Sequence, residues 1–298
     1  MKTLDRRSFI TTAVLGATAL MLPESGWALG NKAQRYKVAV IDLMILKRQK
    51  LGAVKLTSEI GADGLEVDMG GLGNRDTFDN NFFNDEFRTN YINELKEYGV
   101  EVASVAMTGF YAQSFATRPT YKQMVGDCLK TCQLLGAKVA FLPLGVQGDL
   151  VKNPELRPAI VERLKEVGKM AKKAGVVIGI ETALDATGEV ELLKEIGSKN
   201  IQIYFNFSEP LKEGRNLIEE MRILGKKRIC QIHCTDEDGV WLENNTRLDM
   251  PKVKDELDKM GWKGWLVIER SRDASLSPRM VKENFGANTR YVKSIFQS

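Results

Sequence analysis

The chain contains a single histidine, His233, at the point where an apolar run turns acidic in Ile229-Cys-Gln-Ile-His-Cys-Thr-Asp-Glu-Asp. Three other apolar runs end in Glu181, Asn206 and Glu269. An imidazole nitrogen together with carboxylate and amide oxygens is a ligand set for a divalent cation such as Mn, Mg, Co or Zn. These four residues therefore carry the candidate chemistry of the chain, provided that the fold brings them together.

The elements that would position these residues follow a repeated pattern. A charged segment of helical period ends in glycine, and an apolar, strand-like run begins two or three residues later. The pattern occurs seven times, with its glycines at Gly61, Gly99, Gly136, Gly175, Gly197, Gly225 and Gly261. With an opening strand at Tyr36–Leu43 and a last helix within Pro278–Phe296, it predicts eight strands that alternate with helices.

Strict alternation of strands and helices predicts parallel strands joined by helical crossovers. Eight such units in about 260 residues predict a (β/α)8 TIM barrel that forms a single domain. An open, doubly wound sheet is the alternative, but no Gly-x-Gly-x-x-Gly motif follows the first strand.

Side chains alternate along a strand, so parity predicts which residues face the barrel interior. In the seventh strand, Cys230, Ile232 and Cys234 form the outward set, and His233 faces inward. The same parity turns a set of acidic and amide residues inward: Glu66, Asp68, Glu181, Asn206 and Glu269. Inward residues at the ends of neighbouring strands meet at the C-terminal mouth of the barrel, where barrel enzymes keep their sites. Burying such a cluster is costly unless a cation holds it together.

Composition limits the partners of the protein. The formal net charge is +4 over 298 residues, which is too mild and too evenly spread to favour nucleic acid. The spacings of Cys128 with Cys132 and of Cys230 with Cys234 suit neither an easy disulfide nor a metal knuckle. We expect buried thiols and a small-molecule partner, and the sequence leaves an oligomer open.

Residues 1–30 have the pattern of an export signal. A short positive region with Arg6 and Arg7 precedes thirteen mostly apolar, uncharged residues from Ile10 to Leu22, and small residues follow. This run is shorter than the ~20 apolar residues that span a bilayer. The paired arginines indicate the twin-arginine route. We therefore expect an exported, periplasmic protein with no stable membrane insertion after removal of the signal.

The sequence from about Tyr36 to Phe296 resembles the sugar phosphate isomerase/epimerase family of xylose-isomerase-like TIM barrels. The resemblance is carried, in order, by GADGLEVDM, LLGAKVAFLPLG, AKKAGVVIGIET, QIHCTD and LDMPKVKDELDKMGWKGWLVIER. It implies a barrel over residues 36–298 and one divalent metal ion held by Glu181, His233 and Glu269. Asn206 stands where the family usually has Asp, and would be a weak, uncharged fourth ligand.

The resemblance also implies a reaction, which is proton abstraction next to the carbonyl of a keto-sugar through an enediolate. Glu181 and Glu269 would flank the substrate as the catalytic acid and base. This predicts an isomerase or epimerase, and export favours an unphosphorylated sugar. One alternative is a lyase or dehydratase that cleaves a 3-keto-glycoside by β-elimination at the same site. Another is a barrel that binds sugar without turning it over.

Further residues are candidates for contact with the sugar. Glu66 can bind substrate or belong to an ion-pair set with Asp68, and Asp236 matches an acidic position that the family often has. Trp241 and the Phe110-Tyr111 pair can stack on a sugar ring or cover the mouth of the barrel. Three arginines can bind an anion or remain solvated: Arg247, Arg270 and Arg272.

The first prediction concerns the export signal. Replacing Arg6 and Arg7 together with lysine should leave the protein in the cytoplasm, because the twin-arginine route reads the pair. Cell fractionation and immunoblotting would measure the exported share, and Lys2→Arg, which keeps the pair intact, is the control. Normal export of the double-lysine variant would contradict this route.

Overall fold

The computed structural model describes residues 35–298, so the predicted signal of residues 1–30 lies outside the described residues. Eight parallel strands pair in chain order, and β1 also pairs with β8, which closes the barrel. The strands are β1 Tyr36–Ile41, β2 Gly64–Asp68, β3 Glu101–Ala106, β4 Val139–Pro143, β5 Val177–Glu181, β6 Ile201–Asn206, β7 Ile229–His233 and β8 Gly264–Ile268. The predicted single-domain (β/α)8 TIM barrel is confirmed.

Within residues 35–298 nine α-helices accompany the strands. They are α1 Gly52–Ile60, α2 Asp85–Tyr98, α3 Tyr121–Leu135, α4 Arg157–Ala174, α5 Ala186–Ile196, α6 Ser208–Lys212, α7 Leu217–Leu224, α8 Met250–Met260 and α9 Val281–Phe296. Two helices, α6 and α7, follow β6, where the sequence predicts one. None of these described helices is both long and apolar enough to cross a membrane.

Glycine ends the helices that precede β2 to β8, as predicted, with one difference in conformation. Most of these glycines are left-handed, as at Gly99, where φ is 64° and ψ is 30°. Gly225 after α7 has φ 66° but ψ 161°, so the chain leaves that helix in an extended direction. The connections at this end of the barrel are short. The longer loops therefore gather at the C-terminal ends of the strands, where the candidate residues lie.

A small apolar cluster fills the barrel interior, separate from the larger core between strands and helices. Tyr204 and Phe141 are its largest buried members, with ring centroids 4.7 Å apart. Gly179 on β5 makes room for Tyr204 and Cys230, because a Cβ there would lie 3.0 Å from the Cβ of Tyr204 and 2.7 Å from the Sγ of Cys230. This packing leaves the Tyr204 hydroxyl among the polar residues of the interior.

The parity prediction is wrong for Cys230. The pairing of β6 with β7 shifts between Ile203 and Tyr204, so Ile203 lies opposite Ile229 while Tyr204 lies opposite Gln231. The extra residue at this bulge, Cys230, packs with the interior cluster, and its Sγ donates to the Ile203 carbonyl at 3.2 Å. A bulge turns consecutive side chains to the same face, which simple alternation does not anticipate. All four cysteines are free thiols.

Candidate active site

The structure brings the four candidate residues together at the C-terminal mouth. Asn206 and His233 are paired across β6 and β7. The Asn206 Nδ2 atom lies 3.0 Å from Glu181 Oε2 and 3.2 Å from Glu269 Oε2. The His233 Nδ1 atom lies 3.0 Å from the same Glu181 oxygen. All four side chains are buried, so they form one connected cluster from β5 to the end of β8.

Glu66 lies beneath His233, inside the barrel, where it is fully buried. Its Oε1 atom is 3.3 Å from His233 Nε2, and its Oε2 atom accepts from the hydroxyls of Tyr204 at 2.6 Å and Ser104 at 2.7 Å. Glu66 was predicted either as a substrate contact or as part of an ion-pair set with Asp68; in the structure its contacts are with His233, Tyr204 and Ser104. A carboxylate at Nε2 favours a proton on that nitrogen and leaves Nδ1 to face Glu181.

The cluster shifts the pKa values of its members in different directions. Burial lowers the pKa of His233, but the charge of Glu66 and the hydrogen bonds to Glu181 and Glu66 outweigh it and raise that pKa to about 10. Burial also raises the pKa of Glu181, yet hydrogen bonds from His233, Tyr111 and Asn206 more than offset this and the net shift is downward. Burial raises the pKa of Glu269. The pKa values of the two glutamates are therefore shifted in opposite directions, that of Glu181 down and that of Glu269 up.

Tyr111 belongs to the site in a role that the sequence does not predict. It lies in a 3-10 turn after β3, and its hydroxyl donates to Glu181 Oε1 at 2.6 Å. Its neighbour Phe110 is buried in the outer core, where it packs edge-to-face with Phe78 and Phe115. The two residues of the Phe110-Tyr111 pair therefore have different roles. The Phe110 ring packs the turn against the core, and the Tyr111 hydroxyl donates to Glu181.

The donor types of the cluster fit a divalent cation, although the cluster is closed by its own hydrogen bonds. Within residues 35–298 no three His, Cys, Asp or Glu side chains are spaced as metal ligands. The His233 Nδ1 atom and the Glu181 and Glu269 oxygens nevertheless face a shared space. Glu66 contacts the Nε2 atom of the imidazole, on the side away from Glu181. Carboxylates in this position orient metal-binding histidines in other proteins. These three donors fit a divalent metal in chemical type.

Asn206 does not fit as the fourth ligand in this arrangement. Its Oδ1 atom accepts from the backbone N–H of Ser208 at 3.0 Å and from the Ser208 hydroxyl at 2.8 Å. A backbone N–H is always a donor, so this contact fixes which end of the amide is oxygen. The amide NH2 group therefore points between the two glutamates and donates to them. The amide oxygen thus faces Ser208, and a role for Asn206 as a metal ligand stays a prediction.

A cleft of about 260 Å³ opens beside the cluster. Tyr111, Glu181 and Arg270 line its inner part, and Leu144 and Val146 form an apolar wall. The cleft is large enough for a small sugar, and Glu181 connects it to the buried cluster. A ligand in the cleft therefore meets a carboxylate, a phenol and a guanidinium.

Two further predicted substrate contacts, Asp236 and Trp241, are not among the residues that line this cleft. Asp236 is buried and accepts from Arg247 Nη2 at 2.7 Å and from Arg247 Nε at 2.9 Å. The Trp241 indole N–H donates to Asn284 on α9 at 3.0 Å. Both residues hold the loop after β7 against its surroundings. Arg247 and Asn284 lie 11 and 43 residues further along the chain, so the sequence does not show that they are the partners of Asp236 and Trp241.

The second prediction concerns Tyr111. Removing its hydroxyl with Tyr111→Phe leaves Glu181 Oε1 without its donor, so the free energy of unfolding should fall by about 1–2 kcal/mol. Urea unfolding would measure the change. Tyr291→Phe is the control, because within residues 35–298 the hydroxyl of Tyr291 makes no hydrogen bond. Equal effects of the two variants would contradict a role for Tyr111 in holding Glu181.

Solved structures with the same fold include several sugar epimerases. The chain is similar to D-psicose 3-epimerase from Clostridium cellulolyticum H10, with a TM-score of 0.69 and 15% identity over 87% of this chain and 99% of that one. It is similar to 3-keto-D-glucoside 4-epimerase from E. coli, with a TM-score of 0.65 and 17% identity over 86% and 98%. It is also similar to the IolI protein with a bound zinc atom, with a TM-score of 0.67 and 16% identity over 88% and 100%.

At such low identity these likenesses establish the fold, and no curated protein matches the sequence. The sequence profile of a family does match. The profile described as xylose isomerase-like TIM barrel covers residues 54–293, which includes Glu66, Glu181, Asn206, His233 and Glu269. The chain belongs to the xylose isomerase-like TIM barrel family.

Proposed function

We propose that this protein is a sugar isomerase or epimerase that removes a proton next to the carbonyl of a keto-sugar. The observation that carries the proposal is the pair Glu181 and Glu269, whose Oε2 atoms lie 3.0 Å and 3.2 Å from the same Asn206 nitrogen. Two carboxyl groups around one space can take a proton from carbon and return one. The similarity to a psicose epimerase and a keto-glucoside epimerase supports this reading.

In the proposed reaction one glutamate accepts the proton from the carbon beside the carbonyl. The electron pair of that C–H bond forms a C=C bond to the carbonyl carbon, and the carbonyl oxygen takes the negative charge. The product of this step is an enediolate. The other glutamate returns a proton, to the neighbouring carbon in an isomerase or to the opposite face of the same carbon in an epimerase. Tyr111 keeps the Glu181 carboxylate in place through its 2.6 Å hydrogen bond.

We propose that Glu181, His233 and Glu269 hold one divalent metal ion, Mn, Mg, Co or Zn. When bound, such an ion would polarise the carbonyl and neighbouring hydroxyl of the sugar and stabilise the negative charge that develops. Support comes from Glu66, which fixes the imidazole from behind, and from the similarity to a protein with bound zinc. Asn206 adds a hydrogen-bond donor to this set and no charge.

We also propose that the protein acts in the periplasm on an unphosphorylated keto-sugar. The support is the twin-arginine pattern of residues 1–30 and the absence of a glycine-rich phosphate loop after the seventh and eighth strands in the sequence. The export experiment above tests the first part, and a comparison of matched sugars tests the second.

The third prediction concerns the metal. Purified protein should contain about one divalent ion per chain, and His233→Ala should remove it while the circular dichroism spectrum stays unchanged. Glu66→Gln should keep every ligand yet weaken metal affinity by about 10–100-fold, because the partner of the imidazole is lost. Elemental analysis and chelator titration would measure both.

Glu189→Gln is the matched control for the metal experiment. Glu189 is a buried glutamate near the mouth whose Oε1 atom accepts from Thr182 at 2.9 Å, outside the cluster. Its metal content should equal that of the wild type. Full metal occupancy in His233→Ala would overturn the assignment of the site.

The fourth prediction concerns the acid and base. Glu181→Gln and Glu269→Gln should each reduce turnover by a factor of about 10² or more, while Glu189→Gln should not. Metal must be measured again in each variant, so that loss of the ion is not read as loss of proton transfer. Near wild-type turnover in a metal-loaded Glu→Gln variant would contradict a catalytic role for that glutamate.

Heavy water separates the proposed reaction from its alternatives. An isomerase or epimerase gives a product with deuterium on carbon, which NMR detects. A lyase acting on a 3-keto-glycoside releases the aglycone and leaves an unsaturated keto-sugar. A protein that binds metal and sugar, yet exchanges no carbon-bound proton in any ketose or keto-glycoside, would favour the reading as a sugar-binding barrel.

A further inference from the structure

The arginines on the loops after β7 and β8 include Arg247, Arg270 and Arg272, and two of these three are engaged by aspartates. Arg247 donates through Nε and Nη2 to Asp236 at 2.9 Å and 2.7 Å. Arg272 donates through Nε to both oxygens of Asp238 at 3.1 Å. Paired contacts of this kind fix the guanidinium plane and use the N–H groups that would otherwise bind a ligand.

Arg270 is the third, and its guanidinium lines the cleft. Within residues 35–298 its side chain makes one hydrogen bond, from Nη2 to Glu269 Oε1 at the long distance of 3.5 Å. A guanidinium has five N–H groups, so most of those of Arg270 are available to a ligand. Its side chain is 39% exposed, and its neighbour Glu269 is a member of the proposed reaction centre.

The backbone aims Arg270 into the cleft. Its N–H donates to Thr235 Oγ1 at 3.1 Å, and the next residue, Ser271, is buried with φ 69°. A left-handed serine is an uncommon conformation that its surroundings must hold. Asn288 on α9 does so by donating to the Ser271 carbonyl at 2.7 Å. This turn separates Arg270, in the cleft, from Arg272, which faces Asp238.

Two lysines line the same cleft. Lys152 lies 3.3 Å from Asp149 Oδ2, and Lys212 lies 4.0 Å from Glu209 Oε2, and both are largely exposed. Asp149 Oδ1 also accepts the backbone N–H groups of residues 151 and 152, so this aspartate is already well satisfied. The lysine side chains can therefore turn toward a negatively charged ligand. Arg270 would bind that ligand through its guanidinium.

We propose that the substrate is an acidic keto-sugar whose carboxylate binds to Arg270, with Lys152 and Lys212 adding attraction across the cleft. The proposal rests on the proposed function, because it places the sugar carbonyl over Glu181 and Glu269 while the acid group meets Arg270. It goes further by assigning the charge of the substrate and the residue that selects it.

A carboxylate suits this site better than a phosphate. The planar guanidinium fork of Arg270 matches the oxygens of a carboxylate and of a phosphate alike, so the choice depends on the backbone around the cleft. Phosphate sites are typically built from backbone N–H groups at a helix N-terminus. The helix beside the cleft, α6, has five residues, and its first N–H, at Ser208, already donates to Asn206.

Matched sugars that differ only at carbon 6 test the proposal. D-fructose and D-tagatose are neutral, D-fructuronate and D-tagaturonate carry a carboxylate, and the two 6-phosphates carry a phosphate. Calorimetry on the full, metal-loaded protein measures binding, and NMR in heavy water measures exchange of the carbon-bound proton. At least one uronate should bind about tenfold or more tightly than its neutral counterpart, as expected for a charge-assisted, bidentate contact.

Arg270→Gln and Arg272→Gln form a matched pair, because each removes one positive charge near the mouth. Arg270→Gln should abolish the preference for the uronate over the neutral ketose, whereas Arg272→Gln should keep that preference. Binding of no uronate, equal binding of uronate and neutral ketose, or equal loss in the two variants would overturn the proposal. A preference for the phosphates would overturn the choice of carboxylate.

The two measurements separate this proposal from the proposed function. If the uronate preference depends on Arg270 but no ketose exchanges its proton, the anion site stands and the isomerase or epimerase does not. If proton exchange occurs with equal efficiency for neutral and acidic sugars in the wild type and in Arg272→Gln, the enzyme stands and the anion site does not.

Discussion

The contact between Glu66 and His233 is the constraint on which the rest of the site depends. The two residues come from β2 and β7, and both are almost fully buried inside the barrel. A buried carboxylate or imidazolium without a partner would be costly, so each requires the other. The hydroxyls of Tyr204 and Ser104 satisfy the second oxygen of Glu66. Glu66 therefore contacts the imidazole from the barrel interior, and of the two ring nitrogens only Nδ1 faces the mouth.

On the mouth side of that contact the cluster has an excess of negative charge, and hydrogen-bond donors stabilise this charge. Glu181 receives the Tyr111 hydroxyl on one oxygen and the Asn206 amide on the other, beside His233. Glu269 has the Asn206 amide and the long contact with Arg270. The two glutamates thus differ in how firmly each is held, which agrees with the opposite shifts of their pKa values.

Much of this arrangement is predictable from the sequence, and the part that is not has identifiable causes. Glycines at the helix ends give the number of strands, and alternation gives the inward direction of Glu181, Asn206, His233 and Glu269, because both are local properties. Cys230 departs from alternation because the partner strand shifts register, which depends on residues far along the chain. Tyr111, Asp236 and Trp241 lie on loops, and a loop side chain finds its partner only through the folded structure.

Catalysis and selection are assigned to different parts of the chain. The floor of the site is built from strand ends that the barrel hydrogen bonds hold rigidly, so the positions of Glu181 and His233 follow from the fold. The wall is built from loops, and there one left-handed residue, Ser271, decides which of two neighbouring arginines faces the cleft. Without that turn, the period-two alternation of an extended chain would place Arg270 and Arg272 on the same face. The position of Arg270 in the cleft thus depends on one backbone conformation, which Asn288 holds from α9.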